Sequence, residues 1–465
     1  MCKVRIGDRV FDAHKGERLI ELLQRYGIEV PHPCAGRGSC GKCRAFADGQ
    51  EILTCKYVIE GDVTVLIPDR GGVFVDRFEL PEGEDTEGLF YALDVGTTTL
   101  CLSLVTGDGR EVCRVSALNP QAVFGADVIT RIEQCTRGGV ESLRVPIVRR
   151  INEMIAAAGG GACRLLALAG NATMLHILAG EDCSSIGRAP YTPVFLEGRE
   201  YGAGELGIFG CEKVRFLPSA HSFVGADVVA GLTLIDAPGV GRYKLFCDLG
   251  TNAEIALVGN EGILCTAAAA GPCFEGSNID CGMSALEGAI CSVDIDGGEV
   301  KYETVGGGAA RGICATGLID GISTLLECEM IDETGYMEED FYFSEGVRLT
   351  PGDVRNFQLA KSAVCSAMEA LMALSGIGAE KVDALYLSGG FAKKLSVKRA
   401  ASVGLIPASL AEKCVVIEDS CICGIIRAVT GKSDPDMIAK SAKYCDLSTD
   451  SVFCEKFIEN ISFES

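Results

Sequence analysis

One pattern of residues occurs twice in this chain and restricts its fold more than any other feature. Tyr91–Val105 reads YALDVGTTTLCLSLV, and Leu245–Val258 reads LFCDLGTNAEIALV. Each segment is an apolar run, then Asp-x-Gly-Thr, then a second apolar run, which predicts a strand, a turn and a strand. From residue 91 onward, strand patterns alternate with helix patterns, which favours an α/β fold. We therefore expect two related lobes with a cleft between them.

The turns of the two repeats carry residues suited to binding phosphate. Glycine permits a tight turn, and nearby backbone N–H groups and hydroxyls can face phosphate oxygens. An aspartate just before the turn can lie near a water molecule bound to Mg²⁺. One such turn is more often a plain hairpin, but two on matching strands favour a nucleotide site. The predicted residues are Asp94, Gly96, Thr97 and Thr98 in the first turn, and Asp248, Gly250, Thr251 and Asn252 in the second.

Two further segments extend the predicted site. Ala384–Ala392 reads ALYLSGGFA, an apolar strand that ends at Gly389 and Gly390 before a helix. This suits a close approach of the backbone to an adenosine, although a simple strand–helix turn has the same pattern. Asp227 begins an apolar helical run. It is predicted either to orient the attacking group in phosphoryl transfer or to stabilise the N-terminus of its helix.

Four cysteines near the N-terminus have a spacing that indicates an iron–sulfur site. Cys34, Cys40, Cys43 and Cys55 follow the pattern C-x5-C-x2-C-x11-C in a glycine-rich segment. Three thiolates from one loop and a fourth from the next element can enclose a 2Fe–2S cluster. Zinc is the main alternative, although zinc sites usually contain two C-x2-4-C pairs. A 4Fe–4S cluster favours a C-x2-C-x2-C run, and four unrelated buried cysteines are the structural alternative.

The same patterns divide the chain into five predicted parts. They are a small domain at 1–68, a linker with an acidic run at 69–90, a first lobe at 91–243, a second lobe at 244–432 and a tail at 433–465. Within the small domain, short strands are expected at Lys3–Ile6, Arg9–Asp12 and Val63–Ile67, with a helix at Glu17–Tyr26.

Charge and cysteine content narrow the classes of function. The chain has 42 basic and 64 acidic residues, a formal charge of −22, which disfavours binding to nucleic acid or an anionic membrane surface. There is no apolar stretch long enough for a transmembrane helix and no signal-peptide pattern. We therefore expect a reducing, cytoplasmic location, in which the 24 cysteines are cluster ligands, reactive thiols or small core residues.

These segments resemble known families. The cysteine segment resembles the plant- and adrenodoxin-type ferredoxins, which implies a β-grasp fold and one-electron transfer at about −400 mV. The repeats and the Gly389-Gly390 turn, in this order, resemble the ASKHA superfamily of actin, sugar kinases and heat-shock chaperones. That resemblance implies a two-lobed ATPase unit that binds ATP and Mg²⁺, often as a homodimer.

The combination resembles the reductive activators of corrinoid proteins. Further matching stretches are NPQAVFGADVITRI (119–132), GNATMLHILAG (170–180), FVGADVVAG (223–231), GPCFEGSNIDCGMSA (271–285) and GICATGLIDGI (312–322). The resemblance implies ATP-dependent transfer of one electron from the 2Fe–2S cluster to the cobalt(II) corrinoid of a partner protein in a methyltransferase system, for example an O-demethylase. It implies an upstream electron donor, with Asp94, Asp227 and Asp248 in catalysis. The loop Cys265–Asn278 is the expected docking face, where Thr266 or Ser277 would face cobalt.

Other functions fit parts of the sequence. A redox-regulated small-molecule kinase would use the same nucleotide cleft, although it needs no cluster. A non-enzymatic electron carrier with a nucleotide-sensing module is a third reading. ATP-driven activators of dehydratases also couple ATP to electron transfer, but they carry a 4Fe–4S cluster between two subunits. The predicted 2Fe–2S cluster therefore disfavours this alternative.

Overall fold

The computed structural model of the chain describes residues 2–6, 9–26, 28, 30, 43–66, 73–78, 88–125, 127–159 and 161–463. Two compact units are formed, one by residues 1–226 with 425–432 and the other by residues 227–424 with 433–465. The units divide at 226/227 rather than at the predicted lobe boundary of 243/244. The predicted tail is part of the second unit.

A five-stranded sheet with one helix forms the N-terminal part of the first unit. Its strands lie in the order β2-β1-β5-β3-β4, with β1 antiparallel to β2 and parallel to β5. Leu19, Ile20, Leu22 and Leu23 of the helix are buried. The sheet is therefore mixed, with one helix packed against it, which is compatible with the β-grasp fold that the ferredoxin resemblance implies. The elements are β1 (Cys2–Ile6), β2 (Arg9–Ala13), α1 (Leu19–Arg25), β3 (Arg44–Ala47), β4 (Gln50–Leu53) and β5 (Val63–Leu66).

A seven-stranded sheet forms the rest of the first unit. The elements are β6 (Phe74–Arg77), β7 (Phe90–Val95), β8 (Thr99–Val105), β9 (Glu111–Leu118), α2 (Val128–Gly138), α3 (Glu141–Ala158), β10 (Cys163–Gly170), α4 (Ala172–Ala179), β11 (Arg199–Gly202) and β12 (Cys211–Phe216). The order is β11-β12-β10-β7-β8-β9-β6. Strand β10 runs parallel to β7, which forms an antiparallel hairpin with β8. The first predicted turn is therefore a hairpin turn at one end of this sheet.

The segment predicted as a linker contains part of this sheet. Strand β6 pairs with β9 in antiparallel register, from Phe74 opposite Ser116 to Arg77 opposite Cys113. The pairing gives β6 its structure, because its own side chains are exposed and make no apolar face. Phe90 begins β7 rather than ending a linker. The acidic run at residues 82–87 lies outside the described residues.

The remaining elements include a six-stranded sheet in the second unit. They are α5 (Ala226–Leu232), β13 (Tyr243–Leu249), β14 (Ala253–Gly259), β15 (Gly262–Ala268), β16 (Ala289–Asp296), β17 (Glu299–Thr304), β18 (Gly312–Ile313), α6 (Ala315–Glu327), β19 (Phe341–Ser344), β20 (Val347–Leu349), α7 (Pro351–Leu374), β21 (Val382–Ser388), α8 (Val397–Ser402), β22 (Cys414–Val416), α9 (Ser420–Val429), α10 (Pro435–Ser441), β23 (Ala442–Tyr444) and α11 (Ser451–Glu459). The order β22-β21-β13-β14-β15-β23 places parallel β13 and β21 side by side. No described helix has the length and apolar character needed to cross a membrane.

The C-terminal residues are held on α7 by buried polar side chains. Gln358 donates a hydrogen bond to the carbonyl oxygen of Ile461 at 2.8 Å. Lys361, which is 1% exposed, donates to the carbonyl oxygen of Ser462. The ammonium group of Lys361 also lies 4.9 Å from the ring centroid of Phe463. These contacts explain why the tail belongs to the second unit.

Burial of Lys361 predicts an unusual dependence of stability on pH. Burial lowers the pKa of Lys361 to about 8, whereas an unfolded lysine titrates near 10.4. The folded state therefore disfavours the charged form, and stability should rise between pH 8 and pH 10.4, by on the order of 3 kcal/mol. We expect Lys361→Met to lose this rise, measured as the pH dependence of the free energy of unfolding. Exposed Lys398→Met is the matched control and should behave as wild type. An equal rise in wild type and Lys361→Met would contradict the prediction.

Candidate functional site

The first predicted turn joins β7 to β8 and is held from outside the hairpin. A Cβ atom added at Gly96 would lie 2.4 Å from the carbonyl oxygen of Thr99, so this turn requires glycine. Asn119 donates from its side chain to the carbonyl oxygen of Gly96 at 2.7 Å. Its backbone N–H donates to the carbonyl oxygen of Thr98 at 2.8 Å. Both contacts fix the backbone of the turn from outside the hairpin.

A buried arginine connects the same turn to two of the matching stretches. The guanidinium of Arg131 is completely buried and donates to the carbonyl oxygen of Thr97. It also donates to the carbonyl oxygen of Gly125 and to Gln121 Oε1, both at 3.1 Å. Asn171, which caps α4, donates to Thr97 Oγ1 at 3.0 Å. Stretches 119–132 and 170–180 therefore position the first turn, a role that the sequence did not indicate for any of their residues.

The second predicted turn has the same place between β13 and β14. The backbone N–H of Gly250 donates to the carbonyl oxygen of Asn252 at 2.9 Å, which closes the turn. The hairpin register places Asp248 directly opposite Glu254. Thr251 and Asn252 lie at the tip, partly exposed. The strand–turn–strand interpretation of both repeats is thus confirmed, and Glu254 is an acidic neighbour that sequence reasoning missed.

Three carboxylates in the second unit interact electrostatically. Asp227 lies in the first turn of α5, as predicted, and all three side chains are only partly exposed. Burial raises the pKa of Asp227 to about 6. Burial, with the charge of Asp227, raises the pKa of Asp248 to about 7. Burial and the charges of Asp227 and Asp248 raise the pKa of Glu254 well above its usual range. A nearby cation would favour the charged form of these carboxyl groups and so offset the effect of burial on their pKa values.

These carboxylates do not form a complete metal cage. Among the described residues, no group of three or more His, Cys, Asp or Glu is placed to hold a metal ion. Mg²⁺ usually binds through one or two carboxylates together with waters and substrate phosphates. The donor set of Asp227 and Asp248 therefore fits Mg²⁺ that arrives with a nucleotide, and does not fit a resident ion held by protein alone.

The predicted Gly389-Gly390 turn lies beside the second hairpin. Ser388, the last residue of β21, is paired with Asp248 of β13 in parallel register. Gly389 has φ +114°, and a Cβ atom there would lie 2.1 Å from the carbonyl oxygen of Leu249. A Cβ atom at Gly390 would meet no atom within 4 Å. The fold therefore needs glycine at 389, whereas the open space at 390 is available to a ligand. A short turn at 392–394 follows, and the first α-helix after it is α8.

Two of the four predicted cluster ligands are described and lie together. Cys43 and Cys55 are buried, and their Sγ atoms are 3.1 Å apart. A disulfide would need about 2.05 Å, and two thiolates on one tetrahedral metal with 2.3 Å bonds lie about 3.8 Å apart. The pair thus fits shared ligation of one iron after a small adjustment. Cys34 and Cys40 lie outside the described residues.

Only part of the segment Cys265–Asn278, which is expected to face cobalt, is exposed to solvent. Thr266 is completely buried in β15, and its hydroxyl donates to the carbonyl oxygen of Cys445 at 2.8 Å. Thr266 is therefore excluded as a group that faces a partner, because the added strand β23 covers it. Ser277, after the turn at Pro272–Glu275, is partly exposed.

Comparison with known proteins places the chain in a family. Residues 89–237 match the model described as the RACo middle region, and residues 242–465 match the C-terminal domain of RACo, the ASKHA domain. The corrinoid activation enzyme RamQ of Eubacterium limosum is 27% identical over 456 residues, covering 88% of this chain and 75% of the relative. The [Co(II) methylated amine-specific corrinoid protein] reductase of Methanosarcina barkeri is 26% identical, covering 76% of this chain and 72% of the relative.

A solved structure shows the same fold over nearly the whole chain. The reductive activator for corrinoid, iron-sulfur protein superposes with a TM-score of 0.72 and 24% identity, covering 99% of this chain and 98% of that chain. The two RACo models adjoin each other and together match most of the sequence. On this evidence the chain belongs to the RACo family, the reductive activators of corrinoid proteins.

Proposed function

We propose that this protein is an ATP-dependent reductive activator of a corrinoid protein. It transfers one electron from a 2Fe–2S cluster, held by Cys34, Cys40, Cys43 and Cys55, to cobalt(II) of the partner's corrinoid, which becomes cobalt(I). The substrate belongs to a corrinoid-dependent methyltransferase system, for example an O-demethylase. An upstream donor returns the oxidised cluster to its reduced state.

One observation carries the proposal. The same chain contains RACo-type domains with two Asp-x-Gly-Thr hairpins and a buried Cys43–Cys55 thiol pair in a separate sheet. The relatives named above are a corrinoid activation enzyme and a corrinoid-protein reductase, which supports a corrinoid protein as the partner. A small-molecule kinase needs only the hairpins, so the thiol pair favours the activator.

The residues of the two hairpins account for nucleotide binding. The N–H groups of Gly96, Thr97 and Thr98 are candidates for binding phosphate at the first hairpin, and those of Thr251 and Asn252 are candidates at the second, where the N–H of Gly250 already closes the turn. Asp227 and Asp248 would hold water molecules on Mg²⁺, and Asp94 is proposed to act in catalysis beside the first hairpin. The open face at Gly390 would admit the adenosine. ATP hydrolysis at these residues supplies the free energy that the electron transfer lacks.

The electron transfer needs a nucleotide because reduction of the corrinoid is uphill in free energy. When bound, the 2Fe–2S cluster supplies one electron at low potential. A one-electron transfer that is uphill by ~100 mV costs about 2.3 kcal/mol, because 59 mV is one tenfold step in the equilibrium constant. A nucleotide cycle that changes the protein's affinity for the partner's two oxidation states can offset this cost. We also propose a cytoplasmic location, because a reducing compartment suits the 24 cysteines, and a homodimeric assembly.

The proposal is tested by following cobalt during a single turnover. Anaerobically reduced protein, Mg-ATP and a cobalt(II) corrinoid protein are mixed, and the absorption band of cobalt(I) is recorded. We expect wild type to produce cobalt(I) only when ATP is present. Cys43→Ser should contain almost no iron or sulfide and produce no cobalt(I), whereas the matched variant Cys2→Ser, also buried in the N-terminal sheet, should behave as wild type.

Two outcomes would contradict the activator function. One is ATP hydrolysis that requires a sugar or an acid and produces no cobalt(I), which would indicate a kinase. The other is a Cys43→Ser protein that retains the iron and sulfide of wild type, which would remove Cys43 from the cluster.

Because the space beside Gly390 is open, a larger side chain there should weaken ATP binding without destabilising the fold. Gly390→Val should weaken ATP binding at least tenfold by calorimetry, because its side chain would occupy the space reserved for the ligand. Its thermal unfolding without nucleotide should match wild type, since a Cβ atom at 390 meets nothing. Gly204→Val, at another open glycine, is the control for binding. Unchanged ATP affinity in Gly390→Val would place the adenosine elsewhere.

The raised pKa values of the carboxylates predict proton competition with Mg-ATP. As the pH falls from 8 to 6, Asp248 and Asp227 take up protons and lose the charge that attracts Mg²⁺, so affinity should fall. Asp248→Asn should bind weakly and lose most of this dependence. The protonation of the nucleotide itself affects all variants equally. The ratio of the dissociation constant of Asp248→Asn to that of wild type at each pH therefore reports the contribution of Asp248. Exposed Asp296→Asn is the control, and parallel pH profiles in wild type and Asp248→Asn would contradict the prediction.

A further inference from the structure

A threonine between the two described cluster cysteines has a buried hydroxyl without a partner. Thr54 follows β4, directly precedes Cys55 and is completely buried. Its backbone N–H donates to the carbonyl oxygen of Cys43 at 2.8 Å, and its own carbonyl oxygen accepts from Ile20 at 3.1 Å. Within the part of the chain that the structure describes, Thr54 Oγ1 has no hydrogen-bond partner.

Such a hydroxyl needs an explanation. An unsatisfied buried polar group costs about 1–3 kcal/mol, and most native structures contain only a few. Valine has the same shape without the hydroxyl and fits strand-like backbone at least as well. Thr54 is hydrogen-bonded to Cys43 through its backbone and directly precedes Cys55. A hydroxyl at this position therefore suggests that a bound group supplies its hydrogen-bond acceptor.

The sulfur atoms of an iron–sulfur cluster are acceptors of this kind. Thiolate and sulfide sulfurs carry negative charge, and the charge grows when the cluster gains an electron. A hydrogen bond to sulfur therefore stabilises the reduced state more than the oxidised state and raises the reduction potential. Burial of Cys43 and Cys55 acts in the opposite direction, because a low-dielectric site disfavours added negative charge.

We propose that the Thr54 hydroxyl donates a hydrogen bond to a sulfur atom of the iron–sulfur cluster and thereby raises the cluster's reduction potential. The inference rests on the cluster that the proposed function assigns to Cys34, Cys40, Cys43 and Cys55. The hydroxyl keeps its proton throughout, so no atom is transferred. Thr54 sets how readily the cluster accepts an electron from the donor and releases it to the corrinoid.

The experiment is a spectroscopic redox titration of the full-length, cluster-loaded protein. In Thr54→Val, the ratio of reduced to oxidised cluster at a fixed potential should fall about tenfold, a decrease of 59 mV for one electron. Thr54→Ser retains the hydroxyl and should keep the wild-type potential. Exposed Thr64→Val, the same substitution on β5, should also keep it. Thr54→Ala, which only removes atoms, gives a second measurement if the valine variant does not retain its cluster.

The outcomes separate this inference from the proposed function. The inference would be overturned if Thr54→Val and Thr54→Ala kept their full iron and sulfide content and the wild-type reduction potential. That result would mean that the Thr54 hydroxyl makes no hydrogen bond to the cluster. The proposed function would be unaffected, because the cluster would still be present. A lower potential in Thr54→Ser as well would also overturn it, since the hydroxyl would then be irrelevant. Absence of a 2Fe–2S spectrum in wild type would overturn the proposed function itself.

Discussion

The buried guanidinium of Arg131 makes the interactions on which the first Asp-x-Gly-Thr hairpin depends. A completely buried charge is tolerated only when its donors are satisfied, and Arg131 meets acceptors from the turn, from the segment before α2 and from Gln121. The hydrogen bond from Arg131 to the carbonyl oxygen of Thr97 fixes that peptide group. The backbone of the turn is thereby fixed by side chains that are distant from it in the sequence.

In the second unit, close packing of backbones fixes the turn at Gly389, whereas a buried arginine fixes the first hairpin. Gly389 approaches the backbone of Leu249 so closely that a larger residue would displace β13 or β21. That contact brings the glycine turn next to Asp248, where the carboxylate charge is concentrated. Close packing of two parallel strands therefore places the Gly389-Gly390 turn beside Asp248 at the ends of β13 and β21.

Sequence patterns predict the parts whose structure is local. Both hairpins, the strand before Gly389 and the helix that begins near Asp227 follow from apolar periodicity and glycine placement. Glu254 becomes a neighbour of Asp248 only through strand register, and Arg131 acquires its role only through tertiary contacts. Strand β6 lies in a segment that the sequence predicts as a linker, and local sequence could not reveal the strand because its structure comes from pairing with β9. Cys34 and Cys40 lie outside the described residues, so their place in the cluster stays a prediction.

The central claim is that one chain couples an electron from an iron–sulfur cluster to a nucleotide cycle. The most direct measurement fixes the potential of the donor anaerobically and determines the ratio of cobalt(I) to cobalt(II) in the corrinoid protein, with and without ATP. The account predicts that hydrolysis of ATP raises this ratio above the value set by the donor alone, and that a non-hydrolysable analogue does not sustain the rise. A ratio that is the same with ATP, with the analogue and without nucleotide would contradict it.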